Sequence, residues 1–349
     1  MSNILVLNSG STSIKYALYD NQLNELVRNQ VEHVSDYQDA LKTILRSNIH
    51  YGEIGTIGHR VVHGGVKFTG ALEVTSQNLL EIKQLESLAP LHNPHNIAGI
   101  EAAMHFLPAT HQVAVFDTSF YSSMPHSSRI YALPQDLASQ HGLYRFGFHG
   151  LSHEYVMEQA ALELQERTEK LSIISLHLGG GASVTAIKNG KPIDTSMGYS
   201  PNEGLVMLSR SGDIDSNLVL DLFSMLPGEI NHDKVESIRG LLNKQSGIKG
   251  MTGIDDFKML LREYSLGNEE TREIFNFYIQ RIIKYIGAYH CLLEGKVSAI
   301  VLTGSIGSGL PITKEVLASK IRHLNVPILT IKTNEEFMIA KKIKTVSLK

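Results

Sequence analysis

Two arginines stand where an uncommitted charge is unusual. Arg60 lies in GHRVVHGG (58–65) among β-branched neighbours, and arginine seldom sits in an apolar strand without an anionic partner. Its planar fork suits a carboxylate or a phosphate; a structural salt bridge fits the local sequence equally well. Arg210 lies in LSRSGDID (208–215) beside Asp213 and Asp215. That cluster reads as a phosphate-and-metal site or as an Asx turn capping a helix from 215. Lys15 follows the hydroxyl-rich turn NSGSTS (8–13). Period-two geometry places Ser11, Ser13 and Lys15 on one face and Ile14, Tyr16 and Leu18 on the other. A lysine beside hydroxyls at a turn can hold a phosphate as a point charge, though a solvated strand lysine is commoner. Asp117 ends the apolar run HQVAVFD (111–117), at the strand end where α/β sites draw carboxylates. His149, between Phe148 and Gly150 in FGFHGLSH, can donate a hydrogen bond to developing charge. Glu335 and Glu336 read as metal ligands or as first-turn acids of the last helix. The pairs HRVVH, HNPH and HGLSH resemble metal spacing, but no H-E-x-x-H occurs, so single roles are expected for these histidines.

These groups need a scaffold. Strands are expected at 3–8, 13–19, 24–31, 111–117, 172–178, 182–188, 297–305 and 326–331, with 56–65 of strand character. Helices are expected near 36–47, 77–88, 93–106, 151–166, 234–245 and 312–323, with a last one at the C-terminal end. The clearest helix begins after Asn268, a good N-cap, and carries Ile274, Tyr278, Ile282, Tyr289 and Leu293 as its apolar stripe before Gly295. The mixture makes the class α/β. ILVLNSGSTSIKYAL (4–18) and IISLHLGGGASVTAI (173–187) superpose without gaps when Gly10 is placed on Gly179. Both are strand, small-residue turn, strand, which reads as two phosphate-handling hairpins facing each other across a cleft or as a chance pair of a common pattern. There is no G-x-x-x-x-G-K-[ST] and no G-x-G-x-x-G opening a helix after the first strand, which disfavours a P-loop and a dinucleotide-binding fold.

At 349 residues two domains are the natural expectation. With 42% apolar and 19% charged residues the composition is that of a soluble globular protein. No apolar run is long enough for a membrane span, and the N-terminus reads as a strand rather than a signal peptide. The net charge of −3 argues against a nucleic-acid binder. The single Cys291 excludes an internal disulfide framework and fits a reducing compartment, so a cytoplasmic location is expected.

NSGSTSIK, GHRVVHGG, APLHNP, VFDTSF, RFGFHGLSH, HLGGGAS, DTSMGYSP, RSGDID and TNEEFMIA occur in the order found in acetate kinases. The sequence thus resembles a short-chain carboxylate kinase of the actin, sugar kinase and Hsp70 superfamily, from Asn3 to about Ala340. The resemblance implies duplicated ribonuclease H-like domains with a central cleft, one formed by 1–120 plus 335–349 and a nucleotide-binding one by 121–334. It implies reversible in-line transfer from ATP to acetate, giving acetyl phosphate and ADP, with Mg²⁺ (or Mn²⁺) and a homodimer.

Residue by residue, the resemblance assigns Asn8 and Glu335 to the metal, and Lys15 with Ser11 and Ser13 to nucleotide phosphate. Arg60 and Arg210 would clamp the carboxylate and the phosphoryl group; Asp117 looks like the catalytic aspartate. His149, with His92 nearby, would bond phosphoryl oxygens in the transition state. Val62, Leu91, Phe148 and Pro201 match the apolar pocket for the methyl group. His177, Leu178, Gly179, Gly180 and Gly181 would form the second phosphate loop. Asp256, Phe257 and Lys258, and Gly304, Ser305, Ile306, Gly307 and Ser308, would surround the adenosine. The charge count is sensible, since two unit charges about 4 Å apart repel by roughly 4 kcal/mol at an effective dielectric near 20.

The chain departs from the family pattern on the nucleotide side. HLGNG becomes HLGGG, with Gly180 for asparagine, and GGIGEN becomes GSIGSG. The usual Asp–aromatic or aliphatic–Arg triplet ends in Lys258. The chain is also shorter than is usual. These changes imply an altered nucleotide or phosphoryl-donor preference. Propionate in place of acetate, a sugar kinase or polyphosphate hydrolase, and a non-catalytic acyl phosphate or nucleotide sensor are the competing readings.

Overall fold

The computed structural model describes residues 2–47 and 54–346. Position 1, the segment 48–53 and the tail 347–349, all assigned above to the first domain, lie outside the described residues. The first sheet contains β1 (Asn3–Ser9), β2 (Ser13–Tyr19), β3 (Glu25–Glu32), β4 (Ile54–Val61), β5 (Leu72–Glu73) and β6 (His111–Phe116), in the order β3-β2-β1-β4-β6-β5. The second contains β7 (Ile173–Leu178), β8 (Ala182–Lys188), β9 (Lys191–Thr195), β10 (Ala299–Thr303) and β11 (Ile328–Thr330), in the order β11-β10-β7-β8-β9. In each sheet an antiparallel meander leads and parallel strands join its first member: β4 beside β1, and β10 beside β7. The second sheet therefore repeats the topology of the first, as the sequence echo required.

The superposition of Gly10 on Gly179 carries Ser13–Tyr19 onto Ala182–Lys188. The pairing register nevertheless differs by one residue. Asn8 faces Lys15 across the first hairpin, whereas His177 faces Ser183, not Val184, across the second. The first turn runs over residues 10–13 and the second over 179–181, so the second hairpin closes one residue sooner. Because successive strand residues point to opposite faces, that shift decides which side chains reach the site.

Alternation then builds two kinds of surface. On β1 and β2, Leu5, Leu7, Ile14, Tyr16 and Leu18 share one core cluster, as expected. Ile4, Val6, Ala17 and Tyr19 share the other, which is closed by Met338, Ile339 and Ile343 of the last helix, Glu335–Ile343. On β7 and β8, Ile174, Leu176, Leu178, Ala182, Val184 and Ala186 enter the largest core. The opposite face carries Ser175, His177, Ser183 and Thr185, a polar strip under helix Gly150–Glu163.

The long helix is Glu269–Leu292. Asn268 accepts from the Thr271 amide, and Gly295 takes a φ of +68° just beyond the helix end. Tyr278, Ile282, Tyr289 and Leu293 are buried and Ile274 partly so. Sequence patterning missed the short strands β5 and β9 and the helix Phe257–Ser265. It also read 304–307 as loop where the chain makes one helical turn. Gly304 allows that turn: its φ is +80°, and a Cβ there would lie 2.4 Å from the Leu178 carbonyl oxygen. No helix among the described residues is long and apolar enough to cross a membrane.

Candidate active site

Arg60 is the penultimate residue of β4, and Asp117 follows β6, the strand paired with it. Arg60 Nε and Nη2 bind Asp117 Oδ1 and Oδ2 at 3.0 and 2.7 Å, a bidentate pair with side chains 16% and 1% exposed. Nη1 lies 3.4 Å from Asn8 Oδ1. Burial works to lower the guanidinium's proton affinity, but the adjacent Asp117 carboxylate outweighs it and the net shift is upward. The pair as a whole is close to neutral.

Arg210 is different. Its Nη1 donates to the Pro201 carbonyl at 3.0 Å, and Nη2 lies 3.2 Å from His92 Nε2. Among the described residues no carboxylate lies within ion-pair distance of it. The group is largely surrounded by protein though not fully buried, and burial pushes its pKa down to about 10. It remains charged at neutral pH. The net positive charge of the site is therefore carried by Arg210, and a buried cation without an anion is costly unless a ligand supplies one.

His149 faces this guanidinium. A Cβ built on Gly181 would lie 3.2 Å from His149 Nε2 and 3.6 Å from Arg210 Nη1, so both groups flank the 179–181 turn. His149 has a φ of +56°, which is strained for a non-glycine residue. A side chain at neighbouring Gly150 would collide with the Asp117 carbonyl at 1.9 Å, which ties the histidine turn tightly to the aspartate. The His149 ring stacks on His177 with centroids 4.2 Å apart, and His177 Nδ1 meets Ser152 Oγ at 2.7 Å. Burial holds His149 well below the usual imidazole range, with His177, Arg60, His153 and Arg210 adding to the shift. His92 is pushed down to about 3 by burial, then Arg210 and Arg60. Arg210 contacts His92 and flanks the 179–181 turn together with His149, and the charge of Arg60 acts on both imidazoles.

The apolar residues are nearby. Leu91, His92 and Pro201 line a cavity of about 510 Å³ that also reaches Tyr199, Glu236 and Arg239. Phe148 is buried in the second core, and Val62 packs against that core from the first half of the chain. The 179–181 turn and the 304–308 segment adjoin: Ser305 Oγ would lie 3.4 Å from a Cβ on Gly179. A Cβ on Gly180 would meet nothing within 4 Å, so this position has room for a side chain and offers only backbone.

A family model described as the Acetokinase family matches residues 27–326. The chain belongs to the acetokinase family. A relative named acetate kinase, from Clostridium novyi (strain NT), is 36% identical over 398 aligned positions, covering 98% of each chain. The crystal structure of a propionate kinase from Francisella tularensis subsp. tularensis SCHU S4 superposes with a TM-score of 0.92 at 35% identity, covering 99% of this chain and all of that one. A ROK family protein from Streptococcus pneumoniae TIGR4 matches with a TM-score of 0.50 at 14% identity and shares the fold alone. The architecture is the duplicated actin and sugar kinase type. The acetokinase-family chain is accordingly a phosphotransferase with a carboxyl group as acceptor.

Several expectations change in detail. The side chains of Leu178, Phe257 and Ile306 are buried in the second core, Phe257 against Tyr278 at 4.9 Å. Any part they take in holding a nucleotide runs through their main chain. Asp256 caps the helix Phe257–Ser265 by accepting from the Lys258 amide at 2.9 Å. Asp215 caps Ser216–Met225, and Asp213 accepts from the Gly204 amide and the Tyr285 hydroxyl, so the RSGDID acids hold structure. Glu336, rather than Glu335, bonds to Asn8 Nδ2 at 3.0 Å and to Arg28 at 2.7 Å. Glu335 is only partly buried, yet it acts on Arg60. Arg28 and Asn334, 2.6 Å apart, went unsuspected because their segments are remote in sequence. Among the described residues no group of three or more His, Cys, Asp or Glu side chains forms a metal cluster. Asn8 and Asp117, which contact Arg60, and Glu335, whose charge acts on it, offer hard oxygens, which fits a cation that keeps most of its waters and binds mainly to phosphates.

The neutral imidazoles carry a stability prediction. His59, His63 and His177 are pushed from 6.5 down to about 4, chiefly by burial, and His92 to about 3. Between these values and 6.5 the unfolded chain binds more protons than the folded one, so stability must fall as pH drops through that window. Each such histidine contributes up to about 1.4 kcal/mol per pH unit. Melting temperatures measured from pH 7.5 to 4.5 should decline steadily below about 6.5; a flat profile would contradict the assignment.

Proposed function

We infer that the protein is a short-chain carboxylate kinase that transfers phosphoryl groups reversibly between ATP and acetate, giving acetyl phosphate and ADP. The observation that carries this reading is the Arg210 guanidinium, without an acid among the described residues, beside His149 at a glycine turn, with His92 linking it to a cavity whose near wall includes Leu91 and Pro201. Such an arrangement binds an anion and leaves an apolar end to be covered. Propionate differs from acetate by one methylene, worth about 1–3 kcal/mol in an apolar pocket, and remains the second substrate to test.

An acetate oxygen attacks the γ-phosphorus as the bond to the β–γ bridging oxygen breaks, and the electron pair leaves with ADP. The nucleophile is already an anion, so no proton needs removing and positioning dominates. Arg210 balances the meeting of two anions, His149 and His92 donate toward the phosphoryl oxygens, and Asp117 keeps Arg60 aimed. Val62, Leu91, Phe148 and Pro201 cover the methyl group. Asn8 and Glu335 would hold Mg²⁺, or Mn²⁺, which supplies charge neutralisation on the phosphates. Lys15, Ser11, Ser13 and the backbone of 177–181 receive the phosphates, with 256–258 and 304–308 near the adenosine. Gly180, which offers no side chain to phosphate, supports a broadened donor preference. Hydroxamate assays with ATP, GTP, ITP and pyrophosphate test both statements: acetyl phosphate must form with at least one donor, and strict ATP preference would remove the second.

The chain is further read as a cytoplasmic homodimer. Helix Ser216–Met225 buries none of its residues and exposes Leu218, Leu220 and Met225, which supports self-association. Light scattering showing a monomer at micromolar concentration would count against it.

A further inference from the structure

We infer that Ser175, His153 and Ser183 form a one-way hydrogen-bond chain that holds the His149 imidazole with its proton on Nε2, facing Arg210. This rests on the reading of His149 as a phosphoryl-oxygen donor. The chain is unbroken and lies on the polar face of the second sheet. Ser175 Oγ meets His153 Nδ1 at 2.8 Å, His153 Nε2 meets Ser183 Oγ at 2.8 Å, and Ser183 Oγ meets His149 Nδ1 at 2.9 Å. His153 is fully buried, as are both serines. Among the described residues no charged side chain hydrogen-bonds to a member of it, and burial keeps both imidazoles neutral.

The direction follows from counting protons. A neutral imidazole donates from one nitrogen and accepts at the other, and each hydroxyl has one proton to give. Suppose His149 carried its proton on Nδ1 and gave it to Ser183. If Ser183 then donated to His153 Nε2, His153 would donate to Ser175, whose own proton would have no acceptor among the described residues. If Ser183 instead accepted from both rings, its own proton would be the one stranded. If both rings presented lone pairs to Ser183, one pair of acceptors would face each other at under 3 Å. One arrangement satisfies every proton inside the buried chain and leaves only the partly exposed His149 Nε2–H for a ligand or solvent: Ser175 donates to His153 Nδ1, His153 Nε2–H donates to Ser183, and Ser183 donates to His149 Nδ1. Buried hydroxyls and imidazoles are seldom left unpaired, so this arrangement prevails. His149 Nε2 is then a donor, and it sits at the 179–181 turn alongside Arg210.

The chemical consequence is specific. A donor at Nε2 attracts a phosphoryl oxygen, whereas a lone pair there repels it. Ser183 and His153 touch no part of the substrate in this reading and act as positioning residues. The one-residue register shift of the second hairpin is what makes this possible, since it sets Ser183 across from His177 and under His149.

Two measurements test the chain. In wild-type protein labelled with ¹⁵N-histidine, with His149 assigned by its loss in His149→Gln, the Nε2 resonance should be of the protonated, pyrrole-like type and Nδ1 of the pyridine-like type. Ser183→Ala should lower kcat for acetyl phosphate formation roughly 10–100-fold, the scale at which outer-shell partners act on the groups they orient. KM for acetate should stay within about twofold, and Ser183→Thr, which keeps the hydroxyl, should recover most of the rate. Ser175→Ala, one step further away, should shift the His149 signals in the same sense. A pyridine-like Nε2 in the wild type, or wild-type kcat in Ser183→Ala while His149→Ala is slow, overturns the chain alone. Undiminished kcat in His149→Ala overturns the reading of His149 on which it rests.

Discussion

Arg210→Ala is expected to lower kcat for acetyl phosphate formation by 100- to 1000-fold or more while leaving the melting temperature unchanged or higher. The two halves of this result have one cause. Arg210 is held by a carbonyl and an imidazole nitrogen, with no carboxylate partner among the described residues. In the free protein its desolvation is uncompensated, so removing it relieves a cost. In the transition state the same charge faces a polyanionic phosphoryl group and an attacking carboxylate. Loss of one preorganised donor of this kind typically costs about 2.7–4 kcal/mol of barrier. Steady-state kinetics and a thermal melt on one preparation decide the matter. Unaltered turnover would remove Arg210 from the reaction, and a marked loss of stability would show it to be a structural cation instead.

Asp117→Asn should behave in the opposite way on stability. Arg60 and Asp117 form a bidentate pair in which the carboxylate is 1% exposed. Removing one partner of a buried pair strands the other, at a cost of about 3–5 kcal/mol. The melting temperature should fall by roughly 5 °C or more, and kcat by at least about 100-fold as Arg60 loses its aim. Combining Asp117→Asn with Arg60→Met should recover much of the stability and none of the activity, because the stranded charge is gone but the clamp is also gone. A double variant no more stable than the single would mean that Asp117 supports the fold through other contacts.

The contrast between the two arginines was beyond local reading. Both look alike in sequence, each in a run of mixed polar and apolar neighbours. The parallel pairing of β4 with β6 puts Asp117 beside Arg60, whereas among the described residues Arg210 has no acid within ion-pair distance. The acids next to Arg210 in sequence, Asp213 and Asp215, turn away to an amide, a tyrosine hydroxyl and a helix N-terminus. Adjacency along the chain is a poor guide to charge pairing, because a turn can send neighbouring side chains to opposite sides. Glu335 and Glu336 show the same effect within one helix turn: about 100° of rotation separates consecutive residues, and only Glu336 reaches Asn8 and Arg28.

What the sequence by itself determined was the set of chemical groups and the two-fold plan that carries them. Strand alternation, the turn residues and the echo between 4–18 and 173–187 are local properties, and local sterics and burial enforce them wherever the chain goes. The tertiary structure decided which of those groups are charged, paired or aimed. It buried the imidazoles so that they stay neutral, and it matched one arginine to an acid and left the other open. It also closed the second hairpin one residue early, bringing Ser183 beneath His149. Each of these outcomes depends on distances between segments far apart in the chain, and on the loss of water around them. Neither quantity is written in any stretch of residues read alone.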